Sequence, residues 1–292
     1  MRRRALARVL AALVLVGGLA ACTGIHGRQD RGPTLAQAGG WRWDYLSADS
    51  FDLATAVKPY SPGPGPSGDV LTVYIEGDGM AYLTPSQPAM DPTPTDPLAL
   101  RLAMAHPGGG PVAYLARPCQ YVMETRPRNC QVGYWTKARL APEVVDSASL
   151  ALDRLKADAH AQHLVLVGYS GGGGLAAVLA ERRADVAGLV TVSGNLDFGL
   201  WTRTLDLTPL SQSIDPVTDA ARLSHLPQVH FVGADDKVVD GAIAQSFVAH
   251  QPPDAPARII TIPGQDHGCC WAASWAALSR RPEMAAIPGW LP

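Results

Sequence analysis

Apolar and polar positions fall in blocks along this chain that predict strands and helices in turn. Trp41–Leu46 and Phe51–Val57 read as two opening strands, and the Pro/Gly-rich turn Ser61–Gly68 leads on to a third, Val70–Ile75. Asp96-Pro97 starts a helix, because Asp caps well and Pro suits the first turn. That helix runs to about Ala105, and Pro107-Gly108-Gly109-Gly110 ends it. Val112–Ala116 is the next strand. Val144, Val145, Ala148, Leu152 and Leu155 then share one face of a helix over Pro142–Ala157. Leu164–Val167 is a short apolar run with the β-branched content of a buried strand, and Ala187–Val192, Gln228–Val232 and Arg258–Ile262 are three more. Strands alternating with helices predict an α/β fold: a mostly parallel central sheet with helices on both faces. The connection Leu196–Leu226 holds Trp201 and a second Asp-Pro start, Asp215-Pro216. A stretch that long should contain helices and cover whatever site the sheet carries.

The turn after Leu164–Val167 carries the chemistry. Gly168-Tyr169-Ser170-Gly171-Gly172 matches G-x-S-x-G, and Leu175, Ala176, Val178 and Leu179 follow at helical spacing. A sharp strand-to-helix turn pushes the serine out of the sheet, and the glycines remove side chains that would clash there. A serine hydroxyl is a poor nucleophile at neutral pH. It needs a base, and the base needs an orienting acid. Both follow in chain order, each just past the end of a strand. Gln228–Val232 leads into Gly233-Ala234-Asp235-Asp236-Lys237-Val238-Val239, and Arg258–Ile262 into Pro263-Gly264-Gln265-Asp266-His267-Gly268. Ser170, His267 and Asp236 are therefore the candidate nucleophile, base and acid. Asp235, one residue off, and Asp197, after the preceding strand, are the rival acids.

With these residues in place, Val70 to the C-terminus resembles a bacterial α/β-hydrolase domain. The resemblance maps the family's nucleophile onto Ser170, its acid onto Asp236 through the G-x-x-D-x-x-V match, and its base onto His267. It implies hydrolysis of a carboxylic ester through an acyl-enzyme, with no cofactor. A peptidase of the same fold is the alternative enzyme. A catalytically silent envelope scaffold or binding protein is the alternative outside enzymes. One departure stands out. Where the family usually has His-Gly after the third strand, this chain has Glu76-Gly77-Asp78-Gly79. Backbone N–H groups stabilise the oxyanion, so Gly171 and Asp78 are assigned as donors, with Gly79 the substitute for Asp78. A carboxylate beside a developing anion is unfavourable, so Asp78 must point away or be paired. Trp201 and Trp271 are the tryptophans expected to line a substrate groove, and Trp135 is expected to pack.

The N-terminus changes where this chemistry is expected to happen. Arg2, Arg3, Arg4 and Arg8 precede the apolar Leu10–Ala21, which is too short for a membrane span and reads as a signal peptide. Leu19-Ala20-Ala21-Cys22 resembles the bacterial lipoprotein lipobox, which implies a lipid on Cys22. Thr23, in place of an Asp, implies the outer membrane of the cell envelope, facing the periplasm. An ordinary secretory signal is the other reading, and both export the chain. Residues 22–40 then read as a lipidated cysteine with a flexible tether, and 41–292 as one α/β domain with room for a sizeable core. The expected partners are a small-molecule or lipid ester and the membrane. Removing residues 1–21 takes away four arginines and no acid, so the formal net charge goes from −2 to −6. With no basic run besides, that argues against nucleic acid as a partner. Export favours a disulfide between Cys119 and Cys130 in their polar loop. Cys269 and Cys270 are adjacent and read as buried thiols. Neither a C-x-x-C pairing nor H-E-x-x-H occurs, so no metal is expected.

Overall fold

The computed structural model describes residues 27–60 and 69–290. The expected signal peptide, Cys22 and the turn at 61–68 lie outside the described residues. β1 (Arg42–Ala48) and β2 (Phe51–Val57) form an antiparallel hairpin at one edge of the sheet. β3 (Val70–Ile75) is followed by a separate short pair, β4 (Tyr82–Thr84) and β5 (Gln87–Pro88). β6 (Val112–Leu115), β7 (His163–Tyr169), β8 (Val186–Val192), β9 (Gln228–Gly233) and β10 (Ala257–Ile262) run parallel to β3. The sheet order is β1-β2-β6-β3-β7-β8-β9-β10, with β2 antiparallel to β6. This is the mostly parallel sheet that the alternating blocks predict.

The connections carry α1 (Arg31–Ala38), α2 (Leu98–Met104), α3 (Pro142–Asp158), α4 (Gly171–Arg182), α5 (Phe198–Thr204), α6 (Gly241–Ala249) and α7 (Trp271–Leu278). The inner strands β3, β6, β7, β8 and β9 are buried along nearly their whole length because both sheet faces are covered there, while the edge strands β1 and β10 keep exposed positions. Leu164 and Leu166 of β7 pack with residues of α3, α4 and α6. Val165 and Val167 point the other way, into a second core with α2 and α7. From β3 the sheet grows to β6 on one side and to β7 on the other. Ligands of open α/β sheets bind outside the strand ends at such a switch.

The tether expectation is corrected for the part described. Residues 27–40 are largely helical and dock on the domain. Gly32 of α1 lies under the rings of Trp43 and Tyr121, and Ala36 is fully buried. Gln29 Nε2 donates to Asp91 Oδ2 at 3.1 Å, and Arg31 donates to the carbonyl of Thr95. Small residues make this contact, so no apolar stripe announced it.

Candidate active site

Ser170 lies between β7 and α4 with φ 52° and ψ −124°. Holding a non-glycine residue there costs about 1–3 kcal/mol, which the surroundings must offset. Its N–H donates to Val192 O, and its carbonyl accepts from the N–H groups of Gly173 and Asn195. Glycine lets the turn close. A Cβ on Gly172 would lie 2.4 Å from Ile75 O and 2.3 Å from Glu76 O. The end of β3 thus sits directly beside the elbow, in the register Ile75↔Gly168.

The structure brings the three chemical residues together. Ser170 Oγ is 3.0 Å from His267 Nε2, and His267 Nδ1 is 2.9 Å from Asp236 Oδ2. The Tyr169 hydroxyl donates to the His267 carbonyl at 2.9 Å and steadies that loop. Asp236 Oδ1 accepts from the N–H groups of Val238 and Val239, both at 2.8 Å. Burial opposes charge on Asp236. The hydrogen bond and charge of His267, with the Val239 N–H, outweigh it and hold the carboxyl below its ordinary value. An ionised acid on Nδ1–H leaves Nε2 free to accept the serine proton. The rival acids are placed elsewhere. Asp197 caps α5 through Leu200 N–H at 2.7 Å and accepts from the Ser246 hydroxyl at 2.6 Å. Asp235 is exposed, its N–H on Gln265 O.

Asp78 is paired. Arg117 Nη1 lies 3.2 Å from Oδ1 and Arg139 Nη1 lies 2.5 Å from Oδ2. Burial alone would raise this carboxyl, but the charges of Arg139 and Arg117 outweigh it and hold it below its ordinary value. The carboxylate rests against Gly171, whose hypothetical Cβ would lie 2.2 Å from Asp78 Oδ1. The Asp78 and Gly171 N–H groups have no hydrogen-bond partner among the described residues. Gly79 takes the left-handed turn, φ 64°, that carries the chain on toward Pro92. Gln120 Nε2 donates to Gly77 O at 2.9 Å from the loop closed by the Cys119–Cys130 disulfide. Glu76, at the family's histidine position, is buried and accepts from Gly77 N–H, Ala99 N–H and the Tyr114 hydroxyl. Burial pushes its carboxyl up to about 7.

Both arginines escaped the sequence reading. A signal was there: a carboxylate at an oxyanion position obliges a nearby cation, and Arg117 follows β6 on the same sheet edge.

A cavity of about 660 Å³ opens over Ser170 and His267, walled mainly by Met80, Tyr82, Leu98, Trp201, Leu207 and Leu210. The Leu196–Leu226 connection therefore supplies one wall. Trp201 lines the cavity as expected and donates to Val238 O at 2.7 Å. Trp271 does not. It is fully buried, its Nε1 on Asp266 O at 2.9 Å, because the loop after His267 folds back over it. Cys269 and Cys270 are exposed and joined to each other, in place of the buried thiols expected. The loop turns back on itself there, with their N–H groups taken by Asp266 Oδ1 and Gln265 Oε1.

No family model matches the chain, and no curated relative matches it. Solved structures do. Est1E from Butyrivibrio proteoclasticus is 14% identical, with a TM-score of 0.58, over 84% of this chain and 98% of that one. The α/β serine hydrolase XC6422 from Xanthomonas campestris, described as without a lid, is 15% identical with a TM-score of 0.54, over 86% and 95%. A Mycobacterium tuberculosis puromycin-hydrolysing peptidase is 14% identical with a TM-score of 0.60, over 85% of this chain and 39% of that one. The chain spans 38% of the length of another match, puromycin hydrolase. Likeness at this identity speaks for architecture, and it agrees with the sheet order and the strand-to-helix turn at Ser170: the chain has the α/β-hydrolase fold.

Proposed function

We propose that the protein is a serine hydrolase that cleaves a carboxylic ester through an acyl-enzyme. The observation that carries this is the unbroken hydrogen-bonded line from Ser170 Oγ through His267 to Asp236, with spacings of 3.0 and 2.9 Å. Ser170 attacks the carbonyl as His267 takes its proton, and His267 returns that proton to the departing alcohol. Water, activated by the same imidazole, then releases the acid. The Gly171 and Asp78 N–H groups hold the oxyanion. The apolar cavity walls suit an organic ester and exclude water from the carbonyl.

A fluorophosphonate probe should label Ser170, and turnover of p-nitrophenyl esters should vanish with Ser170→Ala. Absence of labelling in a folded protein would favour the silent scaffold. The puromycin-hydrolysing neighbours favour an amide as the second reading, so aminoacyl-arylamides belong in the same assay. Cys22 is the proposed lipid site, and the proposed location is the bacterial cell envelope at the outer membrane. Cys22→Ser should move the protein from the membrane to the soluble fraction, and unchanged fractionation would defeat the anchor.

A further inference from the structure

Arg117 and Arg139 bring two positive charges to the single carboxylate of Asp78, in a cluster whose side chains are 5%, 10% and 16% exposed. The remaining anions nearby are already used. Glu76 spends both oxygens on Gly77, Ala99 and Tyr114, Asp236 is on His267, and Asp96 pairs with Arg101 at 2.8 Å. One positive charge is left over in a largely dry place, which is costly without a counter-anion.

Arg139 is the arginine that reaches the cavity over Ser170. Its Nε donates to Thr136 O at 2.7 Å, its Nη1 is on Asp78, and its guanidinium carbon lies 5.6 Å from the centre of the Trp201 ring. Nη2 has no hydrogen-bond partner among the described residues. A guanidinium locked on two sides and stacked on a third presents its remaining N–H groups in a fixed direction, so an incoming anion orders little on binding.

We propose that Arg139 Nη2, with its guanidinium held over the Trp201 ring, forms a carboxylate-binding subsite beside Ser170, so that the preferred ester carries a free carboxylate in the part lodged there. This rests on the serine hydrolase reading and names its substrate class: the half-ester of a dicarboxylic acid, or an ester with an equivalent anionic arm.

A matched pair of substrates tests it: the 4-nitrophenyl monoester of glutaric acid against 4-nitrophenyl pentanoate, which has the same chain without the charge. The wild-type protein should favour the glutarate ester in kcat/KM by about tenfold or more, the scale of a charge-assisted hydrogen bond. Arg139→Gln should erase that preference mainly through KM, and Arg139→Lys should restore part of it. A wild-type preference for the pentanoate ester overturns the subsite, and this needs no variant to fold. So does an equal fall of both esters in kcat with Arg139→Gln, which would mean that Arg139 only holds Asp78. If neither ester turns over and the fluorophosphonate leaves Ser170 unlabelled, the hydrolase reading is what fails. Binding of monomethyl glutarate to the Ser170→Ala protein, measured by calorimetry with and without Arg139→Gln, then decides the subsite separately. Binding that depends on Arg139 supports it, and no binding or binding unchanged by the substitution ends it.

Discussion

Gly171→Ala is the sharpest probe of the oxyanion arrangement. The new Cβ would lie 2.2 Å from Asp78 Oδ1, 2.4 Å from its Cγ and 2.5 Å from its Oδ2. Real Cβ atoms essentially never come closer than 3.0 Å, so the overlap approaches an ångström. A free side chain would swing aside, but this carboxylate is held by Arg117 and Arg139. The relief must come from the backbone of Gly171 or of Asp78, the two proposed donors. Displacing one such donor costs about 2.7–4 kcal/mol in the transition state, or 10²–10³ in kcat. The stability cost should be smaller, about 1–3 kcal/mol for a local overpacking. Steady-state rates on p-nitrophenyl acetate, beside a thermal melt, separate the two. A Gly171→Ala protein within threefold of wild type would refute this account of the hole.

Asp236→Asn should cut kcat by about 10³-fold or more, since the amide favours the wrong imidazole tautomer, while Asp197→Asn should keep most activity and lose stability from its helix cap. The opposite ranking in a p-nitrophenyl ester assay would move the acid to Asp197. Replacing Cys119 and Cys130 together by Ser should cost about 3 kcal/mol of stability on the chain-entropy model, and an unchanged urea midpoint would contradict it. Glu181 is buried with Oε1 unpartnered, and burial lifts its carboxyl to about 9. Between about pH 4.5 and 9 the folded state keeps a proton that the unfolded state has released, so stability falls as pH rises through that window. Glu181→Gln should therefore raise Tm more at pH 8 than at pH 5, and parallel Tm–pH curves would sink the idea.

The inner strands β3, β6, β7 and β8 were legible because they are apolar runs buried along nearly their whole length, whereas the short pair β4 and β5 left no such run. The Ser170, Asp236 and His267 positions were legible because each follows the end of a strand, where the sheet itself fixes their proximity. What stayed hidden depends on contacts across sequence. Arg117 and Arg139 lie 39 and 61 residues beyond Asp78 and look like ordinary loop arginines until the fold closes. α1 contributes Gly32 and Ala36, too small to register as an apolar face, so its contact with Trp43 and Tyr121 left no hydrophobic pattern. Trp271 went wrong for a related reason. Closeness to His267 in sequence says nothing about which side of the loop a large ring takes.

The docking of α1 sets a leash length. Gly27 is already helical, and Gln29 two residues on is buried against the domain, so five peptide links separate Gly27 from Cys22, a reach of at most about 18 Å. With a lipid on Cys22, the domain would ride on the bilayer surface instead of roaming the compartment. Arg31 of α1 holds Thr95, which belongs to the cavity wall, and the wall also carries the half-exposed Leu207 and Val238. The concentration that matters for such an enzyme is the substrate's density in the plane of the membrane, set by partitioning more than by diffusion from solution. A chain begun at Thr23 should accordingly lose rate on esters carried in vesicles while keeping it on soluble ones, and equal loss on both would show that the leash has no bearing on substrate supply.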